Sequence, residues 1–541
     1  MSFTSFTFIL FVAVVILAYY LIPKKYQWFL LLLASYAFYL SRGLAHVLYI
    51  IGTTVFTYCA GRYMSSLRED FQRKLEAMGA DVSKEQKRAL KSQVNAKIHT
   101  IQIVTVVINL SVLAYVKYLD FFISNLNSVL SMFTRDVSVS MPDILVPLGI
   151  SYYTFNSIGY LIDIGRGKLN AERHLGKFAL FVSFFPSIVQ GPLFRYEDVG
   201  NQLKQPHAFE YNNLKYGAQL VLWGFFKKLV IADRVAIIAS AIFSADYRAS
   251  SGAEVFLGVL AYSFQIYGDF SGGVDITRGV AQMMGIDLPV NFERPFFATS
   301  MADFWRRWHM SLGAWMRNFV FYPVMLSKPV TAISKYFRKR FGSYAGKVVP
   351  SVIAPLVVFF LMNIWHGLSS QRIVNALYNA IIISSSVALA PVYKKIPEKL
   401  HLNTEVFSYR LFQMLRTFLL LCVSRIITQA PRLKEAVRML RLLVTDRIFF
   451  TDSGLDFIFG TSGELYSYGV NEKELFVVFL AILVLLVVGI LQETGVKIRE
   501  TLAKQNMIFR WGMILLLLLA TLVFGVYGPN YDAKAFIYGG F

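Results

Sequence analysis

Long apolar runs alternate with short basic clusters along the 541-residue chain. A spanning helix needs about 20 apolar residues, and tilt or aromatic flanks can complete a shorter run. Runs of this kind occupy 8–21, 28–40, 47–60, 100–115, 145–162, 178–189, 220–243 and 255–267. Others occupy 348–365, 373–389, 411–423, 475–491 and 511–526. The pattern predicts an all-α polytopic membrane helix bundle over 1–541, with about 11–13 membrane segments including re-entrant pieces. Gln190-Gly191-Pro192 interrupts one run and marks that segment as re-entrant. The charged stretch 62–98 reads as a helical hairpin outside the hydrocarbon, and the polar stretch 454–471, with four glycines, as an irregular loop.

Composition sharpens this picture. Hydrophobic residues make up 56% and charged residues 16%, against roughly 25% charged in an ordinary globular protein. That excludes disorder, a collagen-like chain and a soluble enzyme. The net charge of +21 fits the positive-inside bias and anionic headgroups better than nucleic acid, because the basic clusters alternate with apolar spans. Arg62, Arg68, Arg73, Lys74, Lys84, Lys87, Arg88, Lys91 and Lys97 place the 62–98 loop in the cytosol. Counting back three spans then puts the N-terminus outside, as a first span that is not cleaved. Cys59 and Cys422 both lie in apolar runs and offer neither a disulfide framework nor a metal quartet.

Two histidines stand apart from the other five. His366 closes the uncharged run 348–365, in Asn363-Ile364-Trp365-His366-Gly367. Arg372 follows six residues on, about 9 Å along a helix, so His366 lies within the membrane thickness but near one face. An ionisable side chain there is a functional candidate, and an imidazole suits a general base. Asn363, one turn back, is placed to orient it. The alternative is a structural histidine bonded across helices. His309 closes Phe304-Trp305-Arg306-Arg307-Trp308-His309. Helical spacing puts Trp305, Trp308, Leu312 and Trp315 on one stripe with His309 beside it, which predicts an interfacial helix with Arg at headgroup phosphates. Asp269-Phe270-Ser271-Gly272-Gly273 either bends the chain or lines a cavity. Phosphate-binding loops, zinc patterns and serine elbows are absent from the sequence.

These residues resemble the membrane-bound O-acyltransferase superfamily, and within it the branch of the alginate and peptidoglycan O-acetyltransferase membrane subunits. The D-alanyl transferase of teichoic acid modification is a nearby cousin. The resemblance is carried by Ala34-Ser35-Tyr36, by the stretch from Pro147-Leu148-Gly149 to Thr154-Phe155, and by Phe184-Phe185-Pro186. It continues through Trp223-Gly224-Phe225-Phe226-Lys227-Lys228, Asp269-Phe270-Ser271-Gly272 and Asn291-Phe292. The block Phe304 to His309 and the triplet Trp365-His366-Gly367, 57 residues beyond His309, complete it. Three features depart from the family pattern: Asn318 where Asp is usual, Tyr378-Asn379 where the polysaccharide branch often has another His, and a long basic loop at 328–347. These leave the acceptor open.

The resemblance implies a bowl of tilted helices, with His366 as catalytic histidine and His309 in a tunnel on the cytosolic side of a re-entrant or interfacial region, 293–347. It implies acyl transfer, acetyl above all, from a cytosolic thioester to hydroxyls of an extracytoplasmic polysaccharide at the cell membrane. The donor, acetyl-CoA or a carrier-protein thioester, is a substrate; no resident cofactor or metal is expected. Arg306, Arg307 and Arg317 then either hold donor phosphates or anchor at headgroups, and Asn363, Trp365 and Asp269 join the substrate-binding set. A separate extracytoplasmic acyltransferase, a cell-envelope polymer and membrane lipid are the expected partners. D-alanyl transfer to teichoic acid, and a glycan or lipid transporter without acyl transfer, are the rival readings.

Overall fold

The structure is a computed structural model that describes residues 2–78, 83–133, 138–142, 144–244, 251–446 and 470–527. Among these residues the regular structure is helical, apart from a single antiparallel bridge between Phe292 and Trp308. Two compact units divide the chain. The first draws on Met1–Ala218 and Thr277–Pro289, the second on Gln219–Ile276 and Val290–Asp532.

The first unit contains α1 (Phe6–Leu21), α2 (Gln27–Leu40), α3 (Leu44–Ala77), α4 (Lys84–Phe133), α5 (Ile150–Gly165), α6 (Leu175–Ser183) and α7 (Asn201–Lys204). The apolar lengths of α3 and α4 continue without a break into the charged residues that follow and precede them, so much of the 62–98 stretch is helical. Helix α6 stops at Ser183, and the buried backbone from Phe184 to Leu193 is irregular. Irregular backbone of this kind is tolerated where protein, not lipid, surrounds it. The 178–189 run is therefore a short buried helix and turn.

Helices α8 (Tyr211–Phe225) and α10 (Gly252–Met283) carry the chain between the units, with α9 (Asp233–Ile242) between them. The second unit continues through α11 (Met301–Arg307), α12 (Met310–Met316), α13 (Tyr322–Met325), α14 (Lys328–Trp365), α15 (Ser370–Ala388), α16 (Ala390–Lys399), α17 (Phe407–Gln429) and α18 (Leu433–Thr445). Helices Glu472–Glu493 (α19), Ile498–Ala503 (α20) and Met507–Phe524 (α21) follow. The expected 454–471 loop lies, up to residue 469, outside the described residues.

Among the described residues six helices are long and apolar enough to cross a membrane: α3, α4, α14, α17, α19 and α21. The pair α15 and α16, bent by 64°, makes up to seven. Every run read from the sequence carries helix, but several of those helices are shorter, such as the 16 residues of α5 and the nine of α6. An apolar run reports burial, and burial by protein looks the same as burial by lipid. The basic stretch 328–347 corrects another expectation. It is not a loop but the first half of α14, which kinks at Gly342, where φ is 91°. The Ser334 hydroxyl donates to the Gly346 carbonyl across this kink at 2.6 Å.

The motif residues of α8 and α10 meet at two glycines. A Cβ on Gly224 would stand 2.6 Å from the Gly272 carbonyl oxygen, and one on Gly272 would stand 2.8 Å from that of Gly224. This approach sets Lys227 and Lys228 beside the carboxylates of α10. Lys228 Nζ lies 2.5 Å from Asp269 and 2.8 Å from Asp233, and Lys227 Nζ lies 2.7 Å from Asp275. Buried charges are tolerated only when paired and hydrogen-bonded, and removing one partner typically costs several kcal/mol.

Candidate active site

The segment that carries His309 does not form one interfacial helix. Ser300 caps α11, accepting the Asp303 N–H at 3.1 Å. That helix ends at Arg307, Trp308 is extended, and His309 takes a left-handed conformation with φ 46° before α12 begins. Non-glycine residues rarely adopt this region, and they persist there only when their surroundings hold them. The holding contacts come from residues 291–293. The Glu293 N–H donates to the Arg307 carbonyl at 2.9 Å, and the Met310 N–H donates to the Asn291 carbonyl at 3.0 Å. The chain thus zips antiparallel across the break, and the predicted Trp stripe is split. Trp308 and Leu312 are buried, whereas Trp305 and Trp315 are half-buried.

His309 itself is 3% exposed. Its Nδ1 lies 3.2 Å from Asn291 Oδ1, and the Phe270 ring stands edge-on at 4.7 Å. His309 lies in none of the helices able to span a membrane. Burial lowers its pKa from the ordinary imidazole value to about 3, so the ring is neutral at physiological pH.

The second histidine follows α14. His366 is half-buried, and its ring lies 4.4 Å from that of Trp365. The Trp365 ring is also 6.4 Å from His309, so the indole stands next to both imidazoles. Gly367 makes the turn, with φ 126°, and a Cβ there would overlap Arg372 Nη1. That guanidinium donates to the His366 carbonyl. Glycine is required twice over, by the backbone angle and by the close approach.

Asn363 does not point its amide at His366. Its Nδ2 donates to Phe359 O at 2.9 Å, and its Oδ1 accepts Asn375 Nδ2 at 3.0 Å. It heads a ladder that the sequence reading missed. Ser424 of α17 donates to Asn375 Oδ1 at 2.6 Å, and Asn379 Nδ2 donates to the same oxygen at 3.1 Å. Asn379 Oδ1 in turn accepts the Trp305 indole N–H at 3.2 Å. The ladder ties the end of α14, one turn before His366, to α11, just before His309. The sequence signal was four polar residues in otherwise apolar runs, of which only Asn375 and Asn379 stand at helical spacing.

The other expected site residues fall elsewhere. Asp269 is 1% exposed and paired with Lys228. Arg307 is bound to Asp303 at 3.2 Å and to Glu493 at 3.0 Å. Arg306 and Arg317 are exposed, with Arg306 3.1 Å from Asp303. No group of three or more His, Cys, Asp or Glu suited to a metal ion occurs among the described residues. The arrangement offers two imidazoles near one indole, at the end of a helix able to cross the membrane. It suits proton movement at an oxygen or nitrogen.

The family model for membrane-bound O-acyltransferases (MBOAT) matches residues 169–424. A Pseudomonas aeruginosa protein named "Probable alginate O-acetylase AlgI" is 30% identical over 440 residues, 81% of this chain and 74% of its own. The Helicobacter pylori peptidoglycan O-acetyltransferase is 28% identical, over 63% of this chain and 64% of its own. The Bacillus subtilis teichoic acid D-alanyltransferase is 32% identical, over 44% of this chain and 58% of its own. With its helices and paired histidines, this chain belongs to the membrane-bound O-acyltransferase family. It is a multi-pass membrane protein and an O-acyltransferase.

The ladder yields a first prediction. Asn379→Leu keeps side-chain bulk but strands the Trp305 N–H. The expected cost is about 1–3 kcal/mol of stability, read as a lower thermal midpoint of the purified protein, together with reduced transfer per molecule. An unchanged midpoint would show the ladder to be dispensable.

Proposed function

We propose that this protein transfers an acetyl group from a cytosolic thioester across the membrane toward hydroxyls of an extracytoplasmic polysaccharide. The observation that carries the reading is the pair of imidazoles flanking Trp365 in the second unit. The likeness to proteins named as alginate and peptidoglycan O-acetylases supports acetyl and a cell-envelope polymer. A carrier-bound D-alanyl group is the second reading, favoured by the 32% identity to the D-alanyltransferase over a shorter stretch.

A thioester is already activated, so the obstacle is geometric. A charged donor cannot cross about 30 Å of hydrocarbon, and a protein that brings both substrates to one point supplies proximity. His366 takes the proton of the attacking hydroxyl as its oxygen bonds to the thioester carbonyl carbon. The C–S bond then breaks, and the thiolate leaves and takes up a proton. Arg306 and Arg317, exposed on the His309 side of the sequence, suit donor phosphates. The donor, acetyl-CoA or a carrier-protein thioester, is a substrate, and no resident cofactor is needed for these steps. A separate extracytoplasmic acyltransferase completes delivery to the polymer.

The test is to feed labelled acetyl-CoA to membranes and identify the polymer that gains label. His366→Ala is expected to insert and accumulate normally while transfer falls about 10²–10⁴-fold, the usual loss of a general base. Transfer within about threefold of the parent would remove His366 from the chemistry. Orientation is part of the same proposal: the N-terminus is outside and the 62–98 hairpin is cytosolic. In a background lacking Cys59 and Cys422, an impermeant thiol reagent is expected to label a cysteine at Ser128 from outside and to miss one at Ser83. Labelling of the Ser83 position from outside would reverse the topology.

A further inference from the structure

Asn291, 1% exposed, forms a knot with the residues just past the break. Its Oδ1 accepts the Ser311 N–H at 3.0 Å and the Ser311 hydroxyl at 2.8 Å. The same oxygen faces His309 Nδ1 at 3.2 Å.

A backbone N–H can only donate, so the atom it meets on Asn291 must be the carbonyl oxygen. The amide orientation is therefore fixed by the backbone of α12 and not by the histidine. An oxygen lone pair facing Nδ1 requires a hydrogen on that nitrogen. A neutral ring has only one, so Nε2 is left bare, a hydrogen-bond acceptor. This Nε2 is buried and has no hydrogen-bond partner among the described residues. A buried polar atom without a partner is costly, and such groups concentrate where a ligand completes them.

We infer that Asn291 is a positioning residue: it locks His309 as the Nδ1–H tautomer, so that the bare Nε2 accepts a hydrogen bond from a substrate N–H or O–H. The inference rests on the acyl-transfer reading for the identity of that substrate, but the tautomer itself does not. Two groups in the reaction share the required chemistry, an amide N–H of the thioester arm and the attacking hydroxyl. His309 thus acts as an acceptor toward substrate, not as a cation that grips phosphate.

The experiment uses the full chain in lipid nanodiscs, with ¹⁵N-histidine labelling to read which ring nitrogen of each imidazole carries the proton. Comparison with His309→Gln assigns the His309 signals. The expected result is a protonated Nδ1 and a bare Nε2 in the parent. Asn291→Leu is expected to erase that tautomer preference and lower transfer per folded molecule by about tenfold, the worth of one buried hydrogen bond. Ser311→Ala, which keeps the backbone N–H on Asn291 Oδ1, is expected to change both readings less. A rise in donor KM in Asn291→Leu identifies the thioester arm as the bonded group, and a fall in kcat at saturating donor identifies the hydroxyl. A parent ring protonated at Nε2 would overturn the inference, and this reading needs no variant to fold. So would an Asn291→Leu protein with unchanged tautomer or unchanged transfer. If no acyl donor is turned over at all while the Nδ1–H tautomer is seen, the functional reading fails and the positioning role stands.

Discussion

The break between two seven-residue helices is what the site depends on. A helix carrying the Trp305–Trp315 spacing would continue through residue 309 if propensity alone decided, because no Gly or Pro lies between Trp305 and Leu312. It does not continue, because the backbone of 291–293 pairs with 307–310 and satisfies groups that a helix would otherwise bond internally. The left-handed residue at the centre of this pairing is His309. Its cost, of order 1–3 kcal/mol, is offset by those backbone bonds and by the packing of the half-buried Phe292 and the buried Phe304 against the buried Trp308, at ring distances of 5.0 and 5.4 Å.

The same rule, that polar groups in a dry interior must be partnered, organises the rest of the second unit. Two lysines are neutralised by three aspartates where glycines let α8 and α10 touch. Four polar side chains of α14, α15 and α17 form a ladder that ends on Trp305. Arg425, in α17, is buried and bonded to Ser263. Against this background the bare Nε2 of His309 and the Asn291 Nδ2 beside it are buried without a hydrogen-bond partner among the described residues, and such groups call for an explanation in chemistry.

How much of this was legible in the sequence follows from the same physics. Hydropathy found every apolar helix, since that signal is local and periodic. Its count of membrane segments includes short helices such as α5 and α6, whose residues are largely buried in protein. His366 was legible as an ionisable group closing an uncharged run. The break at His309 was not, because the Trp spacing fits a helix on both sides of it and the partner strand lies 18 residues upstream, beyond any periodic signal. The ion pairs of Lys228 and Lys227 were not legible either, because Asp269 and Asp275 lie 41 and 48 residues away. Asn363 looked like a support for His366 because one helical turn separates them, but its amide is taken by Phe359 and Asn375.

The central claim is that an acyl group enters from one face of the membrane and is accepted at the other. Right-side-out vesicles from cells making this chain, loaded inside with labelled acetyl-CoA, test it directly. The account predicts label on the polymer at the outer surface, lost with His366→Ala, and no label when the same donor is supplied only outside. Equal labelling from outside donor, or label that appears only when donor and polymer share a compartment, would contradict it.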